Sequence, residues 1–324
     1  MTYASGGLIS ASDFNNLAWG GTQGTYTAVT KNIAYVMGVG FGAWGYGQTI
    51  TGLNTVSAAA TVTAAQWSGL LTILNNALAH QGSTTLGSNY TAGGIITFFS
   101  NVNTSVTTIN TNANNTVGYA ANVVTTPTAT TVTFTGSTST AAQTTTFTRT
   151  ATFTSADAAR YFFNAGGRIH WSITATNSNG SLRSADLVTL AQTNTAGGFI
   201  GANNSDGIFG GSGGTVNTDA TSLGYYQLTT SDQTMSKVTS TNYRYEYNQS
   251  FFEVLVKSNG VQGANGDKGT VITWTFSVSL QGAINASMGG PFNDNVSVPI
   301  TVAFTVRPPV TTFLSNTWGS VTIA

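Results

Sequence analysis

Apolar and polar residues alternate strictly along much of the C-terminal two thirds of this chain. In the segment 271–280, for example, Ile272, Trp274 and Phe276 are each separated by one polar residue. Successive side chains of a β-strand point to opposite faces, so this period predicts strands with one buried and one solvated face. Turn residues separate the alternating segments, as expected for antiparallel sheets packed as a sandwich. The segments are 128–136, 144–155, 168–176, 242–247, 271–280 and 296–306.

Two local features qualify this prediction. Pro299 falls on the outward phase of the last segment, and proline has no backbone N–H group to donate. We therefore expect that strand at a sheet edge or beside a bulge. The glycine-rich stretch 197–214 lacks a Gly-Lys-Ser/Thr sequence, so it is not a phosphate-binding loop of that type, and we expect a surface loop.

The first 120 residues carry helix signals instead. Ser10 stands three residues before Asp13, and Thr63 stands three residues before Gln66. Both pairs fit the reciprocal capping arrangement that satisfies free backbone amides at a helix start. The second start continues as a helical apolar stripe to His80, where the following glycine can adopt a left-handed cap.

A third helix is predicted over about residues 94–113. Its other positions are mainly threonine and asparagine, which are poor helix formers, so the helix depends on packing. Its apolar spacing fits a seam between copies of the chain. Two alternatives stay open: packing on the helix that contains Trp67 within one subunit, or a threonine-rich strand. The seam residues are Ile95, Phe99, Val102, Val106 and Ile109.

These patterns together predict an α+β fold with two regions. Residues 1–120 would form a helical region for attachment and oligomerisation. Residues 121–324 would form an antiparallel β-sandwich of jelly-roll-like type.

The chain carries very little charge, which limits its partners. Charged residues make up 6% of the chain, against roughly 25% in typical soluble domains, and ten basic residues balance ten acidic ones. No charged residue lies between Lys31 and Arg149. Nucleic acid and anionic lipid both require a basic surface, so neither is an expected partner. The sequence also contains no signal-peptide pattern, no apolar stretch of membrane-spanning length and no cysteine.

The stretch ADAARYFFNAGGRIHWSIT, residues 156–174, concentrates charge and aromatic rings. Ser155 can cap a short helix that ends at the glycine pair, and a strand follows from Arg168. On that strand His170 would face outward and Trp171 inward. The only nearby carboxylate, Asp157, is expected to cap the helix or pair with Arg160, so catalysis is not predicted. We expect packing or interface roles for Arg160, Tyr161, Phe162, Phe163, Arg168 and Trp171.

The remaining titratable residues do not form a convincing catalytic or metal site. His80 is expected to meet the last carbonyl groups of its own helix. Glu246 and Glu253 flank a predicted turn, but lysine and arginine on the same strands can neutralise them. The sequence therefore predicts a non-enzyme without metal or cofactor.

An aromatic stripe offers one candidate binding surface. Tyr243, Tyr245 and Tyr247 share one face of their predicted strand, and such rings can stack on sugars. Core packing or a subunit interface is the alternative for these three side chains.

Two short motifs and two further segments carry a resemblance. The run Ala-Arg-Tyr-Phe-Phe-Asn-Ala-Gly-Gly-Arg-Ile at 159–169 resembles a signature of virion structural proteins of tailed phages, especially those that infect cyanobacteria. The Gly-Tyr-Gly-Gln sequence at 45–48 and the segments 9–17 and 62–70 resemble the same group. The resemblance implies a particle component in the tail, baseplate or neck fibres, and it brings no catalytic residue with it.

We therefore expect a non-enzymatic virion protein, made in the host cytoplasm without a signal peptide. Its expected partners are other copies of itself, with a trimer as the first hypothesis, and other virion proteins. The alternative function is a receptor-recognition module of the tail that binds a host surface glycan.

Overall fold

The computed structural model describes most of the chain. The described residues are 10–20, 32–50, 52–87, 99–113, 128–136, 142–192, 198–203, 205–206, 214–240, 250–260, 268–280 and 295–324. The described part contains six α-helices, a short 3-10 helix at Tyr225–Gln227 and eleven strands.

Four of the helices precede the first strand, and two lie between strands. The predicted capping boxes at Ser10/Asp13 and Thr63/Gln66 are both present. The helices are α1 (Ala11–Trp19), α2 (Ile33–Met37), α3 (Ala64–His80), α4 (Phe99–Thr111), α5 (Ala156–Asn164) and α6 (Leu182–Gln192).

The strands form two sheets in which every described pairing is antiparallel. The five-stranded sheet has the order β1-β10-β3-β4-β5, and the six-stranded sheet has the order β11-β2-β9-β8-β7-β6. The strands are β1 (Thr128–Gly136), β2 (Gln143–Phe153), β3 (Arg168–Ala175), β4 (Gly198–Ile200), β5 (Ser205–Asp206), β6 (Gly214–Asp219), β7 (Gln233–Ser240), β8 (Phe251–Ser258), β9 (Val271–Leu280), β10 (Val296–Arg307) and β11 (Val321–Ile323).

The core lies between the two sheets, as a sandwich requires. The Trp171 ring of β3 meets Phe276 of β9 edge-on at 5.7 Å, and Trp274 of β9 meets Phe304 of β10 at 5.0 Å. The predicted inward residues of β3, β9 and β10 are buried, because burial follows the period-two alternation of the sequence. The prediction of helices followed by two antiparallel sheets is confirmed at this level.

Helices cover parts of the sandwich. The phenylalanine rings of α5 pack against Phe153 of β2, with Phe162 5.4 Å from it and Phe163 5.7 Å from it. Helix α6 contacts β3 and β10 of one sheet and β7 and β8 of the other. The helices before β1 pack on one another, α2 against α1, α3 and α4, and α3 against α4.

The hydrophobic core runs without a break from the helical region into the sandwich. One cluster of buried side chains includes Phe14 of α1, Leu74 of α3 and Trp274 of β9. The boundary predicted near residue 120 falls within 114–127, outside the described residues.

The expected edge position of Pro299 is wrong for the strand as a whole. Strand β10 lies between β1 and β3, so it is a central strand. Proline fits there because its carbonyl oxygen accepts from Thr176, which places the missing N–H on the side of β3. The register of β3 with β10 ends at the pair Ala175 and Ile300, so no ladder bond is lost at Pro299.

The surface loop expected over residues 197–214 is also corrected in part. Residues Gly198–Ile200 form β4, which pairs with β3, and Ser205–Asp206 form β5. Ile200 is fully buried, because it lies on the inward phase beside Ile169 of β3.

Candidate functional site

The residues of the two short motifs meet in the folded chain. A loop of glycine and aromatic residues, 38–48, follows α2 and passes beside α5. Gly45 has a φ of +103°, and a Cβ atom there would collide with the backbone carbonyl of Val39. Only glycine allows the loop to turn back on itself at this point. We name the contact between loop 38–48 and residues 160–167 the motif junction.

Arg160 is the charged centre of the motif junction. Its side chain is completely buried, although its sequence neighbours include no other charge than Asp157. The guanidinium group donates to the carbonyl oxygen of Trp44 at 2.8 Å and to that of Val39 at 2.6 Å. It also donates to Oδ1 of Asp157 at 3.0 Å, and that carboxylate is 44% exposed. The predicted pairing of Arg160 with Asp157 is confirmed, and the arginine uses its fork to hold a loop.

Asn164 holds the same loop one helical turn further on. Its amide nitrogen donates to the carbonyl oxygens of Gly42 and Gly45, each at 3.0 Å. The hydroxyl of Tyr226 lies 2.6 Å from both Oδ1 of Asn164 and the carbonyl oxygen of Gly42, which share its single proton. A fully buried amide is thus satisfied by polar groups of two other segments.

Gly47 gives the loop room to pass Tyr161. A Cβ atom at residue 47 would overlap the Tyr161 ring, and the φ of Gly47 is +69°. The Arg160 guanidinium carbon lies 4.7 Å from the centre of the same ring, so the aromatic face also contacts the buried cation.

His80 and its neighbours close the other side of the motif junction. The prediction that His80 meets the last carbonyl groups of its own helix is wrong. Its Nε2 atom lies 2.9 Å from the carbonyl oxygen of Ala165, which follows α5. Burial lowers the pKa of His80, partly offset by this hydrogen bond, so the ring is neutral and carries its proton on Nε2. Gln81 donates to the hydroxyl of Tyr46 at 2.7 Å, and burial raises the pKa of that hydroxyl.

The C-terminal segment joins the same region through Gln48. The amide nitrogen of Gln48 donates to the carbonyl oxygen of Ser315 at 2.9 Å, and its oxygen accepts from Ser315 N at 2.7 Å. Thr317 donates to the carbonyl oxygen of Tyr46 at 2.7 Å. The motif junction therefore connects segments from both predicted regions of the chain.

The structure separates the predicted packing residues into three places. Arg160, Tyr161, Phe162 and Phe163 lie in or beside the motif junction, where Phe163 stacks on Tyr225 at 4.5 Å. Trp171 lies in the sandwich core. Arg168 lies on the outer face of the five-stranded sheet, as predicted, with His170.

The predicted seam helix exists as α4. Val102 and Ile109 are buried within the single chain, and α4 packs against α3 and α2. This burial is what the intramolecular alternative predicts. Val106 is half-buried, Ile95 lies outside the described residues, and the placement of the Phe99 side chain lies outside what the structure describes.

Several other predicted sites fall on undescribed positions. Tyr243, Tyr245, Tyr247 and Glu246 lie outside the described residues. Glu253 lies 3.6 Å from the Lys237 ammonium group, which fits the predicted neutralisation.

The polar side chains of the motif junction hold segments of the chain together. Arg160 and Asn164 both donate to backbone carbonyl oxygens of loop 38–48. Within the described ranges, no group of three or more histidine, aspartate and glutamate residues could hold a metal ion. None of the helices in those ranges is both long and apolar enough to span a bilayer.

Sequence reasoning identified one half of this junction and missed the other. The helix 156–164 was recognised from its cap and its rings, but loop 38–48 was not assigned as the partner of Arg160 and Asn164. The signal that could have found it is the unusual density of glycines around aromatic residues, which marks close backbone approach.

Comparison with protein-family models, with curated proteins and with solved structures gives no match in any of the three cases.

Proposed function

We propose that this protein is a non-enzymatic structural component of a bacteriophage virion, in the tail, the baseplate or a neck fibre. The observation that carries the proposal is the contact between residues 45–48 and 159–169, the two motifs that resemble tailed-phage virion proteins. The two motifs contact each other through buried hydrogen bonds and close packing. Such contacts fit a motif that is kept for structure rather than for catalysis.

The surface chemistry supports a role in a particle. The outward positions of β1 and β2 are dominated by threonine, and ion pairs are few in the described part. A threonine surface keeps the protein solvated without offering strong charge to nucleic acid or anionic lipid. It also offers few cleavage sites to trypsin-like proteases, an advantage for a particle released from lysed cells.

The strand order supports a jelly-roll-like topology for the sandwich. Strand β1 pairs with β10 while β2 pairs with β9, so two successive connections cross between sheets in a nested pattern. The order departs from a complete jelly roll at β6 to β9, which form a simple meander.

Assembly is proposed to occur through contacts between copies, with a trimer as the first hypothesis. Strand β1 supports such contacts, because it ends its sheet in the described part and pairs with β10 over nine residues without a bulge. Its sequence contains no charge and no proline, the devices that usually protect an edge strand from pairing.

The direct test is mass spectrometry of purified phage particles from a lysate that expresses this chain. Chymotrypsin suits the experiment, because the chain has only ten lysines and arginines but 11% aromatic residues. Peptides should appear in the particle fraction in a fixed ratio to other virion proteins. Peptides confined to the soluble lysate would contradict the proposal. Light scattering of the full chain then gives the number of copies.

A second candidate function, binding of a host surface glycan, is favoured by one groove. The groove has a volume of about 390 Å³, and no charged residue lines it. Phe313 is 41% exposed there, beside amide and hydroxyl side chains, a combination that suits a neutral sugar. The polar and aromatic lining includes Gln48, Thr49, Asn76, Thr311, Thr312 and Phe313.

A glycan array with the full chain tests this candidate. Phe313→Ala should abolish glycan binding, whereas Val216→Ala, at a residue of matched exposure on β6, should not change it. Loss of binding in Tyr243→Ala alone would move the site to the tyrosine stripe. No binding to any glycan would remove the candidate.

A further inference from the structure

Strand β1 forms one edge of the five-stranded sheet in the described part, and its partner β10 shows which of its backbone groups are left unused. The carbonyl oxygens of Pro299 and Ser297 on β10 accept from Thr176 and Ser178, at 3.1 and 3.2 Å. Both acceptors are odd-numbered, and both lie on the side of β3. Because the backbone groups of a strand alternate between its two neighbours, the even-numbered residues of β10 are the ones that bond to β1.

Four residues of β1 direct their backbone groups at the open edge of the sheet. Thr133 lies opposite Pro299 in the register with β10. Since the backbone of Pro299 is directed at β3, the N–H and C=O groups of Thr133 are directed away from β10. The described residues supply no hydrogen-bond partner for these groups. By the same alternation, the four edge residues are Ala129, Thr131, Thr133 and Thr135.

The other described sheet edges are protected in ways that β1 is not. Strand β5 has only two residues, and β11 has only three. Strand β6 has a bulge between Val216 and Thr218 and ends at Asp219, so it is neither regular nor uncharged. Short length, bulges and charge all keep an edge strand from pairing with another chain. Strand β1 instead has nine residues in an unbroken register, without charge or proline.

The side chains of β1 suit a further strand on both faces of the sheet. On the outer face, the Thr131 hydroxyl lies 2.6 Å from the hydroxyl of Thr301 on β10, a cross-strand pair of a kind that stabilises sheets. A threonine strand on the open side would repeat this type of pair. On the inner face Val132 is only half-buried, so a neighbouring strand would remove more of its apolar surface from water.

We propose that β1 pairs with β1 of a second copy of this chain, antiparallel and centred on Val132. In this register Thr131 lies opposite Thr133 of the second copy, and Ala129 lies opposite Thr135. All four edge residues then exchange both backbone hydrogen bonds with a residue of the other copy. Any other antiparallel register leaves at least one of the four without such a partner in β1. The register opposes no like charges, because β1 has none.

The contact is isologous, since both copies contribute the same residues, and it therefore closes at two copies. It joins the two five-stranded sheets into one continuous sheet. The inference rests on the proposed assembly through contacts between copies, but not on the virion role. A trimer would need a different surface.

Single cysteine substitutions test the register, because the chain contains no cysteine. In the proposed pair, Val132→Cys places the two thiols on directly opposed residues, whose Cβ atoms lie about 5 Å apart, close to the distance that a disulfide spans. Thr130→Cys is the matched control, because Thr130 is also half-buried on the inward phase. Thr130 lies opposite Phe134 of the second copy, so its two thiols would be four residues apart along the strands, or roughly 13 Å.

Both cysteine variants are purified as the full chain and oxidised mildly with diamide. Val132→Cys should give a band at twice the chain mass of 33.4 kDa on a non-reducing gel, and Thr130→Cys should not. Circular dichroism of the reduced proteins establishes that both variants fold.

Charge substitutions test the pairing without a cross-link. Light scattering of the unsubstituted chain should give twice the mass of one copy. Thr131→Lys combined with Thr133→Lys opposes like charges across the contact, so it should weaken the dimer by at least about tenfold. Thr131→Glu combined with Thr133→Glu should do the same, and an equimolar mixture of the two variants should restore the dimer. Thr146→Lys with Thr148→Lys, at exposed positions of the central strand β2, is the matched control and should leave the dimer intact.

Three results would overturn the proposed pair. One is the mass of a single copy at every concentration, or a trimer that the β1 substitutions do not affect. Another is cross-linking of Thr130→Cys in preference to Val132→Cys, which would mean a different register. The third is a Val132→Cys variant that cross-links only to another protein in purified particles, which would replace the second copy by a strand of that protein. Failure of the virion role shows instead as peptides missing from the particle fraction, and it leaves the dimer measurement unaffected.

Discussion

The guanidinium group of Arg160 donates to the carbonyl oxygen of Trp44 at 2.8 Å, joining segments that are 116 residues apart in sequence. The arginine is fully buried, while its carboxylate partner Asp157 is 44% exposed. The favourable interactions that compensate its desolvation therefore come largely from backbone carbonyl groups of one loop. An ion desolvated in this way stabilises only the fold in which that loop is present.

Replacing Arg160 with alanine should destabilise the full chain by about 3 kcal/mol. The substitution leaves the carbonyl oxygens of Val39 and Trp44 buried without their donor. Urea unfolding monitored by tryptophan fluorescence measures the change. Asp157→Asn is the matched control and should cost less than about 1 kcal/mol, because that carboxylate is 44% exposed and solvent screens its charge. Equal effects of the two substitutions would show that the ion pair, and not the loop, is what matters.

Tyr226→Phe should destabilise the chain by about 1 to 2 kcal/mol. The variant keeps the ring but removes the hydroxyl that lies 2.6 Å from Asn164 and from the Gly42 carbonyl oxygen. Tyr35→Phe is the matched control, because Tyr35 is also buried and its hydroxyl has no hydrogen-bond partner among the described residues. The difference between the free energies of unfolding of these variants isolates the Tyr226 hydroxyl. A stability equal to that of the unsubstituted protein would contradict the assigned hydrogen bonds.

Gly47→Ala should destabilise the chain through two separable effects. One is the left-handed backbone at φ +69°, which costs a residue other than glycine about 1 kcal/mol. The other is overlap of the new methyl group with the Tyr161 ring. In a double-mutant cycle, Gly47→Ala should cost at least about 1 kcal/mol less in a Tyr161→Ala background than in the unsubstituted one. Additive effects would place the ring away from residue 47.

The sequence predicts those local features that depend on an alternating apolar pattern or on a capping residue at the start of a helix. The inward phases of β3, β9 and β10 and the caps at Ser10, Thr63 and Ser155 all follow from nearest neighbours along the chain. Two helices were missed. Helix α2 has only five residues, and α6 carries its apolar residues among serine and threonine, so neither gives a long periodic stripe.

The errors share a different cause, because they concern partners distant in sequence. Whether Pro299 stands on an edge depends on where β3 ends, and the partner of His80 is Ala165, which follows α5 and lies 85 residues away. The motif junction is of the same kind. A buried arginine and a glycine-rich loop are each visible in the sequence, but their pairing is a property of the fold.

The free energy of unfolding should decrease as the pH is lowered from about 6.5 to 4, in part because of His170. Its pKa of about 4 in the folded state lies below the usual value of 6.5, through burial and then through Arg307 and Arg168. The unfolded chain therefore takes up a proton in this window that the folded chain does not, so unfolding becomes more favourable as pH falls. Above pH 7 both states are neutral at this residue and the effect vanishes.

His170→Gln isolates the contribution of this residue, because it retains His80 and every carboxyl group. The difference in free energy of unfolding between the two proteins should change by about 1 to 3 kcal/mol from pH 7 to pH 4, with the variant losing less stability. Chemical unfolding at several pH values measures it. The charged groups that lower the pKa of His170, after burial, are Arg307 on β10 and Arg168 on its own strand. Parallel stability curves for the two proteins would mean that His170 titrates normally, and that the two arginines do not act on it as the register implies.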